Sequence, residues 1–183
     1  MKSTLLFFAF ATLFCLAQEP KPAPEPKLPR KAENIGIQVA PDKYLWLSDY
    51  SGKTCVMAFI LTTCPHCQFT VGLLNRIQKD YAGKDVQVIA SAIEPMSSLN
   101  IPSFTKTFQV AFPVGYNDQR YIAKFLGRGP DDPLLMPQLV FVDRNGVIRA
   151  QLSGEDAAMN KDIQDKSLRE TLEKTMKEGA GKK

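Results

Sequence analysis

The chain has 183 residues, 44% of them hydrophobic and 23% charged, which is enough to bury one sizeable core and too few for two. Its 23 basic and 19 acidic residues give a formal charge of +4, with no long basic run and few aromatics set among the lysines, so nucleic acid is excluded as a partner. One globular domain with appendages, monomeric and with a mixed solvated surface, is the expectation.

The N-terminus carries Lys2, an apolar stretch from Leu5 to Leu16 and then the small residue Ala17. That order is a secretory signal, so residues 1–17 are read as a signal peptide cleaved after Ala17. The apolar run is too short to span a bilayer comfortably, and a membrane tether arises only if the signal stays uncleaved. Cys15 follows the bulky Phe14, where lipoprotein signals resemble one another in having a small residue, which argues against lipidation. Export leaves three of the four cysteines, Cys55, Cys64 and Cys67, in a compartment where thiols meet oxidants.

Residues 18–33 read as a linker. Between Pro20 and Pro29 every second residue on average is proline, mixed with Lys21, Glu25 and Lys27, a composition that favours extended polyproline conformation over helix or sheet. A folded domain is expected over residues 34–178, with residues 179–183 as a flexible tail. Within it, Tyr44 to Lys53 places apolar residues ahead of a polar glycine turn, and Thr54 to Leu61 reads as a buried strand. The cysteine turn follows at once, and Val71, Leu74, Ile77 and Tyr81 then fall largely at helical spacing up to a stop at Gly83.

Val86 to Ala92 is a second apolar strand. Asn100 with Pro102 opens a helix through Phe108, Phe112 to Val114 is a short extended piece, and Asp118 caps a helix reaching Leu126. Gln138 to Val142 and Val147 to Leu152 are strands joined by Asp143-Arg144-Asn145-Gly146, whose Asn-Gly is a hairpin signal. A last helix runs from Lys161 to Lys177. Strands and helices alternate first and a hairpin follows, which gives an α/β fold with a central mixed sheet flanked by helices.

The chemistry sits in Cys64-Pro65-His66-Cys67. A thiol attacks only as thiolate, and Cys64 stands where free amides and the helix dipole favour an anion. Pro65 fits the first helical turn because its missing amide proton is not needed there. His66 adds a donor or partial positive charge near Cys64, and Cys67, one turn along, is placed to resolve a mixed disulfide. A loop this short constrains little of the unfolded chain, so exchange is a better use of the pair than a structural staple.

These residues, with the strand before them and Leu47 to Lys53 ahead of it, resemble the redoxin branch of the thioredoxin superfamily, and particularly the TlpA-like extracytoplasmic thiol-disulfide oxidoreductases. Met136-Pro137-Gln138-Leu139-Val140-Phe141-Val142 is similar to that family's segment of cis-proline and strand. The resemblance implies a thioredoxin-like fold, a redox-active disulfide between Cys64 and Cys67, a cis bond before Pro137 beside the cysteines, and a backbone at Met136 that pairs with substrate peptide. It implies protein thiols and a redox partner protein as partners, a periplasmic or otherwise extracytoplasmic location, and no cofactor. The Pro-His dipeptide also resembles that of the DsbA-type periplasmic oxidases.

The chain departs from these families at three places. Ala58 stands where thioredoxins place a buried acid, which leaves Glu94 or a water to move protons. Thr63 precedes Cys64 where a tryptophan is frequent. A peroxiredoxin-like antioxidant would need proline and threonine at Met57 and Leu61. A non-catalytic copper or zinc carrier of the same fold is the other alternative, since paired thiolates bind soft metals; His66 is the only histidine, and no metal is assigned to the site. Cys55, in mid-strand, is read as an inert buried thiol, Trp46 as packing, and Asp131 and Asp132 as part of a surface loop near Pro137.

Overall fold

The computed structural model describes residues 26–181; the signal segment 1–17 and the linker as far as residue 25 lie outside the described residues. The strands are β1 (Arg30–Lys31), β2 (Gly36–Ala40), β3 (Lys43–Trp46), β4 (Thr54–Ile60), β5 (Val86–Ala92), β6 (Val114–Tyr116), β7 (Gln138–Val142) and β8 (Val147–Leu152). The helices are α1 (Pro65–Asp80), α2 (Ser97–Thr107), α3 (Gln119–Phe125) and α4 (Gln164–Ala180). One mixed sheet runs in the order β1-β8-β7-β4-β5-β6-β2-β3, parallel across β4, β5 and β6 and antiparallel elsewhere. The expected central mixed sheet with flanking helices is therefore what the chain builds.

The apolar run of β4 makes it the central strand, because only a strand covered on both faces can be apolar at every position. Val56, Ala58 and Ile60 point into a cluster with Val71, Leu74 and Ile77 of α1 and Leu168 and Leu172 of α4. The alternate residues Cys55, Met57 and Phe59 face Ile35, Ile37, Ile122 and Phe125 on the other side. Phe59 meets Phe125 edge-on, with ring centroids 5.9 Å apart, a favoured aromatic geometry. Truncating so fully buried a ring costs about 3–5 kcal/mol.

Four boundaries differ from those read off the sequence. The sheet begins before residue 34, because Arg30 and Lys31 pair with Ile148 and Val147 and Arg30 also donates to Gln151 Oε1 at 3.1 Å. β2 was not anticipated; its alternation is blurred by burial at Ile35, Gly36 and Ile37 in succession. The second helix starts at Ser97, with Pro102 inside it, since the tight turns from Glu94 to Ser97 and from Met96 to Leu99 open it earlier. The last helix is shifted three residues toward the C-terminus. Turns at Asn160 hold Asp162 and Ile163 outside it, and its end is no tail as far as Ala180: Gly179 is buried and its carbonyl accepts from Asn145 Nδ2 at 2.8 Å.

Candidate active site

At the end of β4 the chain turns, with the Cys64 amide donating to Leu61 O at 3.2 Å. Cys64 has extended backbone dihedrals and occupies the N-cap of α1, with Pro65 as the first helical residue. The sixteen-residue helix leaves its first amides without intrahelical acceptors, and Cys64 takes the capping role: its Sγ accepts from the Cys67 amide at 3.4 Å and its carbonyl from the Gln68 amide at 3.0 Å. Negative charge on this sulfur is thus favoured by an aimed N–H and by the helix dipole.

The two cysteines differ in access. Cys64 is half-buried, whereas Cys67 is fully enclosed beneath the turn. Burial pushes the Cys67 thiol far up; the Leu61 amide, donating to Cys67 Sγ at 3.5 Å, opposes this, while Cys64 and the charge of Glu94 add to it. Both are free thiols in this structure. Cys55 is also a buried free thiol, pushed up to about 12 by burial.

His66 is half-buried, with Nε2 3.0 Å from Met159 O. A carbonyl only accepts, so Nε2 carries the hydrogen in this contact. The hydrogen bond that His66 makes here goes not to Cys64 but to the short turn Ala157–Met159 before α4, and ties α1 to that turn.

The Met136–Pro137 peptide is cis. Phe59 of β4 pairs with Gln138 of β7, and continuing this register brings Pro137 level with Ile60, just below the cysteine turn. The loop carrying it is fixed by Gly154, whose amide donates to Leu135 O at 2.8 Å; a Cβ there would lie 2.2 Å from Met136 O, so only glycine permits this approach.

Ala58 is fully buried and brings no acid, but Glu94 does. It follows β5 and reaches the cysteine turn, where its Oε1 accepts from the Thr62 amide at 2.9 Å and from the Thr62 hydroxyl. Its Oε2 is buried without a hydrogen-bond partner. Thr62 and Met159 are the two residues about the turn that the sequence reading missed. The hydroxyl of Thr62 immediately before Thr63-Cys64 was the one available signal; the Met159 contact spans 93 residues and leaves none.

Asp131 and Asp132 serve the loop itself: Asp131 pairs with Arg120 at 3.2 Å on the surface, and Asp132 accepts from the Gly129 amide at 2.7 Å. Trp46, expected as packing, remains 42% exposed. Phe69, Met96 and Leu135 are large apolar side chains exposed on the segments that carry the turn, Glu94 and Pro137. Among the described residues no group of three or more His, Cys, Asp and Glu is gathered to hold a metal ion.

The AhpC/TSA family model matches residues 21–151. Among curated proteins, the chain is 28% identical over 109 residues to "Thiol-disulfide oxidoreductase ResA" of Geobacillus thermodenitrificans (strain NG80-2), a match covering 59% of this chain and 59% of that protein. It is 25% identical over 126 residues to the protein of the same name from Bacillus thuringiensis subsp. konkukian (strain 97-27), with 69% of each covered. Among solved structures, the thiol:disulfide interchange protein, thioredoxin family protein from Chlorobium tepidum TLS aligns with a TM-score of 0.63 at 21% identity, over 80% of this chain and 99% of that one. That likeness is one of fold.

Proposed function

The chain belongs to the AhpC/TSA family, and from that premise we propose that it is an exported thiol-disulfide oxidoreductase that exchanges disulfides with protein thiols through Cys64 and Cys67. The observation that carries the reading is the asymmetry of the pair: a half-buried sulfur capping α1, with a fully buried thiol one turn behind it. The relatives named as thiol-disulfide oxidoreductases support the activity. The signal read in residues 1–17 supports export to the periplasm or another extracytoplasmic space.

In the reducing direction the Cys64 thiolate attacks one sulfur of a client disulfide. The client S–S bond breaks, one client sulfur leaves as thiolate, and a mixed disulfide forms at Cys64. Cys67 then gives up its proton and attacks the Cys64 sulfur, releasing the second client thiolate and closing the Cys64–Cys67 disulfide. Two electrons pass from the pair to the client, and a redox partner protein returns them; the same steps reversed oxidise a dithiol.

The buried Cys67 thiol resists deprotonation, so the second step needs a base. Glu94 takes that role, with Oε1 held by Thr62 and Oε2 left free to receive the proton. Met136, beside cis-Pro137, offers backbone to an extended client segment, and Phe69, Met96 and Leu135 supply apolar surface around it. Met57 and Leu61 stand where peroxide reduction would need proline and threonine, so the thiol exchange reading is preferred.

Insulin reduction by dithiothreitol, followed as turbidity, tests the reading. The parent chain accelerates precipitation and Cys64→Ser falls to background. No acceleration by the parent, with both thiols titratable, would overturn it.

A further inference from the structure

At the sheet edge farthest from β1, the hairpin of β2 and β3 faces the loop between β6 and α3 across a cleft of about 350 Å³. Tyr44, Trp46, Tyr116 and Tyr121 line it together with Gly36. The only tryptophan of the chain and three of its five tyrosines therefore line one cavity. Aromatic residues that close a core are buried by it, but Tyr44 and Tyr121 are 44% and 43% exposed. Gly36 is needed for this shape: a Cβ there would lie 2.9 Å from the indole, which instead rests against the strand and continues the ring of Tyr44, with centroids 5.8 Å apart.

The amide and carboxylate groups of the cleft are already committed. Asn117 donates to Gly36 O at 2.9 Å and accepts from Ser91 Oγ at 2.8 Å, and Asp118 Oδ1 caps α3. What the walls still offer is phenol hydroxyls and an indole N–H set on flat apolar rings. Such donors suit a ligand rich in carbonyls and poor in N–H, which describes a polyproline helix.

The chain itself supplies that ligand. Pro20, Pro22 and Pro24 precede Pro26, and Pro26 lies against Gly127 just past α3, its Cβ 2.9 Å from where a Cβ of Gly127 would be. Asp118, at the opposite end of α3, lines the cleft. The seven residues of α3 measure about 10 Å, while the six from Pro20 to Glu25 reach about 19 Å as a polyproline helix.

We propose that the aromatic cleft binds the proline-rich Pro20–Glu25 segment of the same chain. This assignment stands independently of the redox reading.

Trp46, as the only tryptophan, reports the cleft directly. The test compares the parent with a variant carrying Pro20→Ser, Pro22→Ser and Pro24→Ser, by indole emission and acrylamide quenching. The variant is expected to emit at longer wavelength and to be quenched more strongly, and a synthetic peptide of residues 18–27 restores the parent spectrum. Identical emission and quenching in parent and variant would overturn the proposal. So would a parent spectrum that changes on dilution, which would place the segment in a second copy, or a response of the parent to chitotetraose with no effect of the proline changes, which would make the cleft a sugar site.

Discussion

Two carboxylates are withdrawn from water at opposite ends of β4, and they are held in contrasting ways. Asp143, beside the start of the strand, has a side chain with no exposed surface. Its Oδ1 accepts from the Asn145 and Val147 amides at 2.8 and 3.0 Å, and its Oδ2 from Arg149 at 2.7 Å. Glu94, beyond the other end, has one oxygen on Thr62 and the other buried with no partner. A buried acid whose every lone-pair direction is used is a staple, whereas one with an idle oxygen beside a thiol of raised pKa is placed for proton transfer.

The largest effect is expected at the staple. Asp143→Ala leaves the Arg149 guanidinium, 17% exposed, without its main partner, and should cost about 3 kcal/mol, read from urea unfolding. The insulin reduction rate per folded molecule should be unchanged. A loss near that of a surface ion pair would break the contrast.

Glu94→Gln probes the other end. The amide keeps an acceptor for Thr62 but cannot take the Cys67 proton, so release of the second client thiol should slow by about 10²-fold near neutral pH, measured by single-turnover quench. Because burial and the Glu94 charge raise the Cys67 thiol, parent and variant should converge as pH rises and hydroxide replaces the base. If Glu94 acted only as a charge, its removal would ease Cys67 ionisation and the variant would be faster.

Cys55 sharpens the comparison with a buried thiol in mid-strand, away from the cysteine turn. Its folded pKa, pushed up to about 12 by burial, lies above that of an unfolded thiol, so its contribution is complete below the unfolded value and is lost as pH rises through the folded one. Between these limits stability should fall by about 1.4 kcal/mol per pH unit for this thiol. Cys55→Ala should remove that share of the alkaline slope and leave insulin reduction intact.

The smallest effect is expected at His66, whose Nε2–H is spent on Met159. His66→Ala should lower the reduction potential by no more than about 30 mV, measured by glutathione equilibration. A much larger drop would mean that the ring acts on Cys64 directly.

The cysteine end of β4 was readable because its determinants are local. An apolar strand, a cysteine at a helix start, proline at the first helical position and a proline-led strand later are each carried by neighbouring residues. What escaped depends on distant partners. Two residues at Arg30 and Lys31 become a strand only against β8, and α4 runs on to Ala180 because Gly179 docks on the turn at Asn145. Thr62 gains its role from Glu94, 32 residues away, and His66 turns to a carbonyl that no spacing rule points to.

The central claim is that Cys64 attacks and Cys67 resolves. Its most direct measurement is non-reducing electrophoresis with mass spectrometry of Cys64→Ser and Cys67→Ser, each incubated with a disulfide-containing client protein. The account predicts that Cys67→Ser accumulates a mixed disulfide through Cys64 while Cys64→Ser forms none. Trapping by Cys64→Ser through Cys67, with none by Cys67→Ser, would contradict it.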